Sequence, residues 1–130
     1  MVVGTARLVL AIPSATSLKD KRSVVRRVVD RARARFNAAV AEVEDQDVHR
    51  RAVIGVAVVS SDARHATSML DTIIASMAQS STAQLVSRQA SVVPVGAHDF
   101  DPALTGSLDA AALRAPGEQD PWDDEDADGR

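Results

Sequence analysis

Apolar and polar positions alternate from Val2 to Ile12, with Val2, Gly4, Ala6, Leu8, Leu10 and Ile12 on one side and Val3, Thr5, Arg7, Val9 and Ala11 on the other. A period of two is that of a β-strand, and Pro13 ends it. The period then lengthens. Leu18, Val25, Val28, Val29, Ala32 and Phe36 recur at helical spacing, which predicts a helix from Leu18 to about Phe36 with that stripe lying on a sheet. Ser17 stands where its hydroxyl can accept from the first free N–H groups. Asp20, three residues on, resembles the partner of a capping box, with Asp in place of the usual Glu or Gln. Ala38 to Glu44 reads as a second strand, Asp45 to Arg50 as a polar turn, and Arg51 to Ser60 as a third strand rich in β-branched residues. Ser61 or Asp62 caps a second helix whose buried stripe is Ala66, Met69, Leu70, Ile73, Ile74 and Met77. A weaker strand lies between Leu85 and Val95.

Strand, helix, strand, strand, helix, strand is the order of a ferredoxin-like α+β fold, a four-stranded antiparallel sheet with both helices on one face. The first and third strands are then central. Leu8, Leu10 and Ile12 face the helices beside Ile54, Val56 and Val58, while Val3, Val9, Val53, Gly55, Ala57 and Val59 fall on the opposite face. That second face is too apolar to lie bare in water. A second copy of the chain is expected to cover it, the rival being the stretch from Val92 through Leu104 and Leu108 folding back. Residues 1–95 form the expected domain. From Gly96 to Arg130 the periodicity is lost, and the composition turns to Pro, Gly, Asp and Glu, an acidic tail expected to be disordered.

Charge divides the same way. Residues 1–95 carry thirteen of the fifteen Lys and Arg but eight of the eighteen Asp and Glu, so the domain is basic, at +5, and the tail acidic, at −8. The whole-chain net charge of −3 conceals this division. Only Phe36 of the three aromatic residues lies in the part that packs, and the absence of cysteine removes disulfides, thiolate metal sites and thiol nucleophiles. The apolar start has no basic segment before it and carries Arg7 in its middle. It makes a poor signal peptide and is too short to span a bilayer, so a cytoplasmic protein with no membrane role is expected.

The run Ser17-Leu18-Lys19-Asp20-Lys21-Arg22, the segment Arg35-Phe36-Asn37 followed by Val40-Ala41-Glu42-Val43 and Asp47, and Ala52 to Ser60 leading into Asp62 together resemble the YlxP-like family of bacterial domains. The resemblance covers residues 1–95. It implies a ferredoxin-like fold and a gene setting among transcription, translation-initiation and ribosome-maturation factors. It brings no catalytic residues, and the chain departs from the family pattern in placing His49 where members often have Trp.

The first helix holds the most informative chemistry, with eight of the fifteen basic residues. At 100° per residue, Lys19, Arg22, Arg26 and Arg33 share one narrow sector and form a positive ridge. Its start lies at the positive end of the helix dipole, where cations are costly, so Lys21 and Ser17 are placed with it as an anion-binding end; the plain alternative is a solvated helix face. Glu42, Glu44, Asp45 and Asp47 surround the second turn without the spacing of a metal loop, and Arg50 and Arg51 stand close enough to neutralise them. His49, His65 and His98 form no close-spaced ligand pair, and no nucleophile elbow or glycine-rich phosphate loop is present. No metal site, cofactor or enzyme is therefore expected. Trp122 stands alone in the acidic tail. It would anchor a short motif on a partner or bring the tail back onto the basic helix, against the plain reading of a solubilising tail.

The expected function is non-catalytic binding to RNA or a ribosomal particle through the ridge, by shape and charge, since the exposed strand positions carry no rings for stacking bases. The alternative is a homo-oligomeric scaffold or small-ligand module, most simply a homodimer, joined through the apolar second face.

Overall fold

In the computed structural model, which describes residues 1–106, the chain runs β1 (Val2–Ala11), α1 (Leu18–Arg35), β2 (Ala39–Glu44), β3 (Arg51–Ser60), α2 (Ala63–Met77) and β4 (Gln84–Pro94). The sheet order is β2-β3-β1-β4, and every neighbouring pair is antiparallel. Each helix therefore carries the chain across one intervening strand: α1 leads from β1 past the place of β3 to β2, and α2 from β3 past β1 to β4. This is the ferredoxin-like α+β fold. β1 is the hub, paired along its whole length with β3 on one side, from Val2↔Ser60 to Ala11↔Arg51, and with β4 on the other, from Val2↔Pro94 to Ala11↔Gln84.

The helix-facing side of the sheet makes the core. Leu8, Leu10, Ile12 and Ile54 from the sheet and Leu70 and Ile73 from α2 are all within 1% of full burial. Each such aliphatic chain contributes roughly 1.5–3 kcal/mol by leaving water. Val24, Val25, Val28, Val29 and Ala32 of α1 join the same cluster, with Phe36 and Met69 packed at its margin. Asp62 caps α2, its carboxylate accepting from the Arg64 N–H at 3.0 Å.

Two glycines in the central strands separate by their surroundings. A methyl group on Gly4 would come within 3.0 Å of both Leu70 and Val58, two buried side chains, whereas one on Gly55 would stand 2.9 Å from Val43, a half-exposed side chain on β2. Gly4→Ala is thus expected to cost about 1–3 kcal/mol through overpacking of the core, and Gly55→Ala less, because the side chain that must shift lies at the surface. Chemical denaturation of the two variants checks the contrast, and equal losses would contradict it.

The open face is less uniformly apolar than its sequence predicts. Arg7 of β1 pairs with Glu44 of β2 and donates to Gln89 of β4 at 3.3 Å, so a polar belt crosses the middle of the sheet. Its Arg7–Glu44 segment passes over β3, whose Gly55 is registered with Arg7 and whose Val53 is registered with Glu44. Val53 is fully buried within the single chain, which removes it from the expected intermolecular surface. Val3, Val9, Gly55 and Ala57 are half-buried, and Val59 is 63% exposed.

The compact unit Met1–Gly96 is separate from Ala97–Arg130. Ala97–Asp99 and Pro102–Leu104 form two short 3₁₀ turns. Leu104 is exposed. Leu108, Trp122 and the acidic stretch from Ala115 to Arg130 lie outside the described residues.

Candidate nucleic-acid interface

The start of α1 is built by local hydrogen bonds. Ser17 Oγ accepts from the Asp20 N–H at 3.1 Å, the first half of the expected capping box. The second half reaches one residue further back than expected: Asp20 Oδ2 accepts from the Thr16 N–H at 3.0 Å and the Thr16 hydroxyl at 2.7 Å. These Thr16 bonds hold the Asp20 carboxyl below the usual carboxylate range, with smaller help from Ser17 and the nearby Lys19 charge. A carboxylate, with the Ser17 and Thr16 hydroxyls already engaged, thus occupies the end where an anion was expected to bind.

Lys21 corrects the expected ridge. It is 1% exposed, in the buried face of α1 with Val24, Val25 and Val28, and its ammonium meets Glu42 Oε2 at 2.8 Å and donates to the Asp45 carbonyl at 2.6 Å. Asp45 has a left-handed backbone, φ 55, which turns the chain after β2; its carbonyl also accepts from the Val48 N–H, and its carboxylate pairs with Arg51 at 2.9 Å. Lys21 is a structural tie between α1 and the β2–β3 turn. Lying among valines did not make it apolar, because Glu42 and a backbone carbonyl await its charge.

Seven cations of α1 remain exposed: Lys19, Arg22, Arg26, Arg27, Arg31, Arg33 and Arg35. Lys19, Arg22, Arg26, Arg27 and Arg31 line a hollow of about 640 Å³ in which Asp30 is the one acid. Arg22, Arg26 and Arg33 line an adjoining hollow against Glu42 of β2. The fold therefore brings together Lys19, Arg22, Arg26 and Arg33 and adds Arg27 and Arg31. The sequence signal for those two was their spacing of four on the outermost face, which a search for one narrow stripe passes over.

Three cations outside α1 meet acids, while the Arg50 and Arg64 side chains make no ion pair among the described residues. Arg7 meets Glu44, Arg51 meets Asp45, and Arg88 meets Asp71 at 2.9 Å. Arg33 donates to the Val40 carbonyl at 2.9 Å, while Arg35 reaches Ser76 and lies over the Phe36 ring. Among the described residues Arg22, Arg26, Arg27 and Arg31 make no hydrogen bond or ion pair. The acids that were candidates for a metal loop are divided: Glu42, Glu44 and Asp45 each hold a different cation. Among the described residues no three His, Cys, Asp or Glu side chains converge as metal ligands, and no helix is long and apolar enough to cross a membrane.

A relative from Bacillus subtilis (strain 168), "Uncharacterized protein YlxP", is 38% identical over 60 residues, 46% of this chain and 65% of its own length. The chain thus matches just under two thirds of that relative. The family described as "Protein of unknown function (DUF503)" matches residues 3–90, from the second residue of β1 into β4. With both helices, three whole or nearly whole strands and part of the fourth inside that match, the chain belongs to the DUF503 family.

Proposed function

We propose that the domain is a non-catalytic, cytoplasmic RNA-binding module, directed at ribosomal RNA or a ribosomal particle, with the outer face of α1 contacting phosphates. The carrying observation is the set of four arginines on one helix, Arg22, Arg26, Arg27 and Arg31, exposed and without partners among the described residues. Arg7, Lys21, Arg51 and Arg88 are each met by an acid, while Arg50 and Arg64, unpaired among the described residues, stand singly away from α1 rather than in a row. A row of unneutralised guanidinium groups fits a polyanion, because each binds phosphate through a rigid fork of donors. A helix face without aromatic side chains reads backbone charge and shape rather than base identity. Titration of the full chain with ribosomal RNA, against an unrelated RNA duplex, over a series of salt concentrations tests the reading. Affinity falling steeply and linearly on a log–log plot is expected, and no binding at low salt overturns it.

A second reading, a homodimer, draws on one end of the open face. Val59, Val3 and Val93 are registered side by side across β3, β1 and β4, with Val59 63% and Val93 46% exposed. This short apolar row is self-complementary under a two-fold axis. Light scattering is expected to show a dimer that Val59→Glu dissociates; a monomer at every concentration removes this reading.

A further inference from the structure

Arg33, in the last turn of α1, borders two hollows. One is the groove that Arg22 and Arg26 line against Glu42. The other, about 580 Å³, lies on the open face of the sheet. The Nε of Arg33 donates to the Val40 carbonyl on the edge strand β2, which holds the side chain where the helix side and the open face meet. Its terminal guanidinium nitrogens make no other hydrogen bond among the described residues.

The open-face hollow is lined by small residues. Ala39, Ala41 and Ala57 line it beside Val43, which covers Gly55, within 2.9 Å of where a Cβ would stand. Arg33 and Arg7 also line it, and no carboxylate does. Arg7 is already neutralised by Glu44, whereas Arg33 has no acidic partner among the described residues. The recess is thus apolar and floored by side chains too short to project, with an unneutralised guanidinium at the side that adjoins the ridge. Such a place fits a flat uncharged ring attached to an anion, the ring on the floor and the anion on Arg33.

We infer that the hollow holds one unpaired nucleobase of a single-stranded RNA whose phosphates follow Arg22, Arg26 and Arg33. This rests on the RNA-binding reading above and narrows it to a substrate class. The base packs on Ala39, Ala41 and Ala57 against the Val43 side chain in place of an aromatic platform, and Arg33 carries the backbone around the edge of β2. A duplex keeps its bases stacked inside and can use only the ridge.

The test compares one labelled oligoribonucleotide, single-stranded and as a duplex, against the full wild-type chain and the variants Ala57→Leu and Ala41→Leu. Both variants fill the hollow without changing charge. Each is expected to lose about tenfold in single-strand affinity, the scale of one base contact, while duplex affinity stays as in the wild type. Single-strand binding unchanged in the variants, with wild-type binding intact, overturns the base site and leaves the ridge standing. No binding of either RNA by the wild type overturns both. The two positions lie on different strands, so a folding defect in one variant leaves the other to decide. Photocrosslinking of a thiouridine-substituted single strand to the wild type is independent of any substitution: crosslinks within 39–43 or 53–57 support the site, and crosslinks confined to α1 overturn it.

Discussion

Lys21→Met is expected to destabilise the domain by about 3 kcal/mol, the scale of losing one partner of a buried ion pair. The substitution keeps the length of the side chain and its contacts with the valines of α1. It removes the ammonium that meets Glu42 at 2.8 Å and the Asp45 carbonyl at 2.6 Å. The Glu42 carboxyl is then left without its cation in a mostly buried place, since its side chain is only 19% exposed. The Asp45 carbonyl retains the Val48 N–H, so the carboxyl carries most of the loss. Adding Glu42→Leu to Lys21→Met should recover part of the stability, because the stranded carboxyl is gone, and thermal unfolding of the two single variants and the double variant measures the coupling. A drop on the order of 15 °C is expected for Lys21→Met in a domain of this size. A Lys21→Met variant as stable as the wild type would show that the tie carries no energy.

Arg22→Glu with Arg26→Glu is expected to act on binding and leave the fold intact. Both side chains are exposed and make no hydrogen bond or ion pair among the described residues, so stability should stay within about 0.5 kcal/mol of the wild type. The losses fall on the polyanion. Removing two phosphate contacts should flatten the log–log salt dependence by about 2, and the reversed charges should lower affinity at low salt by roughly a hundredfold, since facing like charges cost several kcal/mol. The loss should be similar for all RNA sequences. Unchanged affinity in this double variant would remove the helix face as the binding surface.

The ferredoxin-like order was legible because period two and period 3.6 alternate cleanly along the chain, with Pro13, Ser17, Asp62 and the Asp45–Arg50 turn punctuating it. The ridge was legible for a similar reason, since charge on a helix follows from angle alone. Lys21 was not, because its residue type argues for the surface while its position among the valines argues for the core. Glu42 is the deciding fact, and it becomes a neighbour only when β2 folds against α1. Glu44 was hidden by a different mechanism. By strict alternation Glu42 and Glu44 share a face, yet the β2–β3 register shifts between them, so Glu42 is registered with Ile54 and Glu44 with Val53 on opposite sides of β3. A bulge turns two acids separated by one residue into partners of two distant cations, Lys21 beneath the sheet and Arg7 above it. Alternation read from a sequence carries no mark of a bulge, so the polar belt and the burial of Val53 were not legible either.

The place of β1 at the hub bears on how the domain is made. A ribosome releases β1 first, but its two partners arrive late, β3 at Arg51–Ser60 and β4 last of all, with Val2 waiting for Pro94. Until Pro94 has emerged, one flank of the central strand has bare amides and carbonyls, beside a helix layer already rich in valine and isoleucine. Contacts that join the two ends of a chain form slowly, and unpaired strand edges attract other chains. The nascent domain is therefore most vulnerable to aggregation in the interval between completing α2 and releasing β4, and a stalled or truncated chain ending near Met77 should be far less soluble than the finished one.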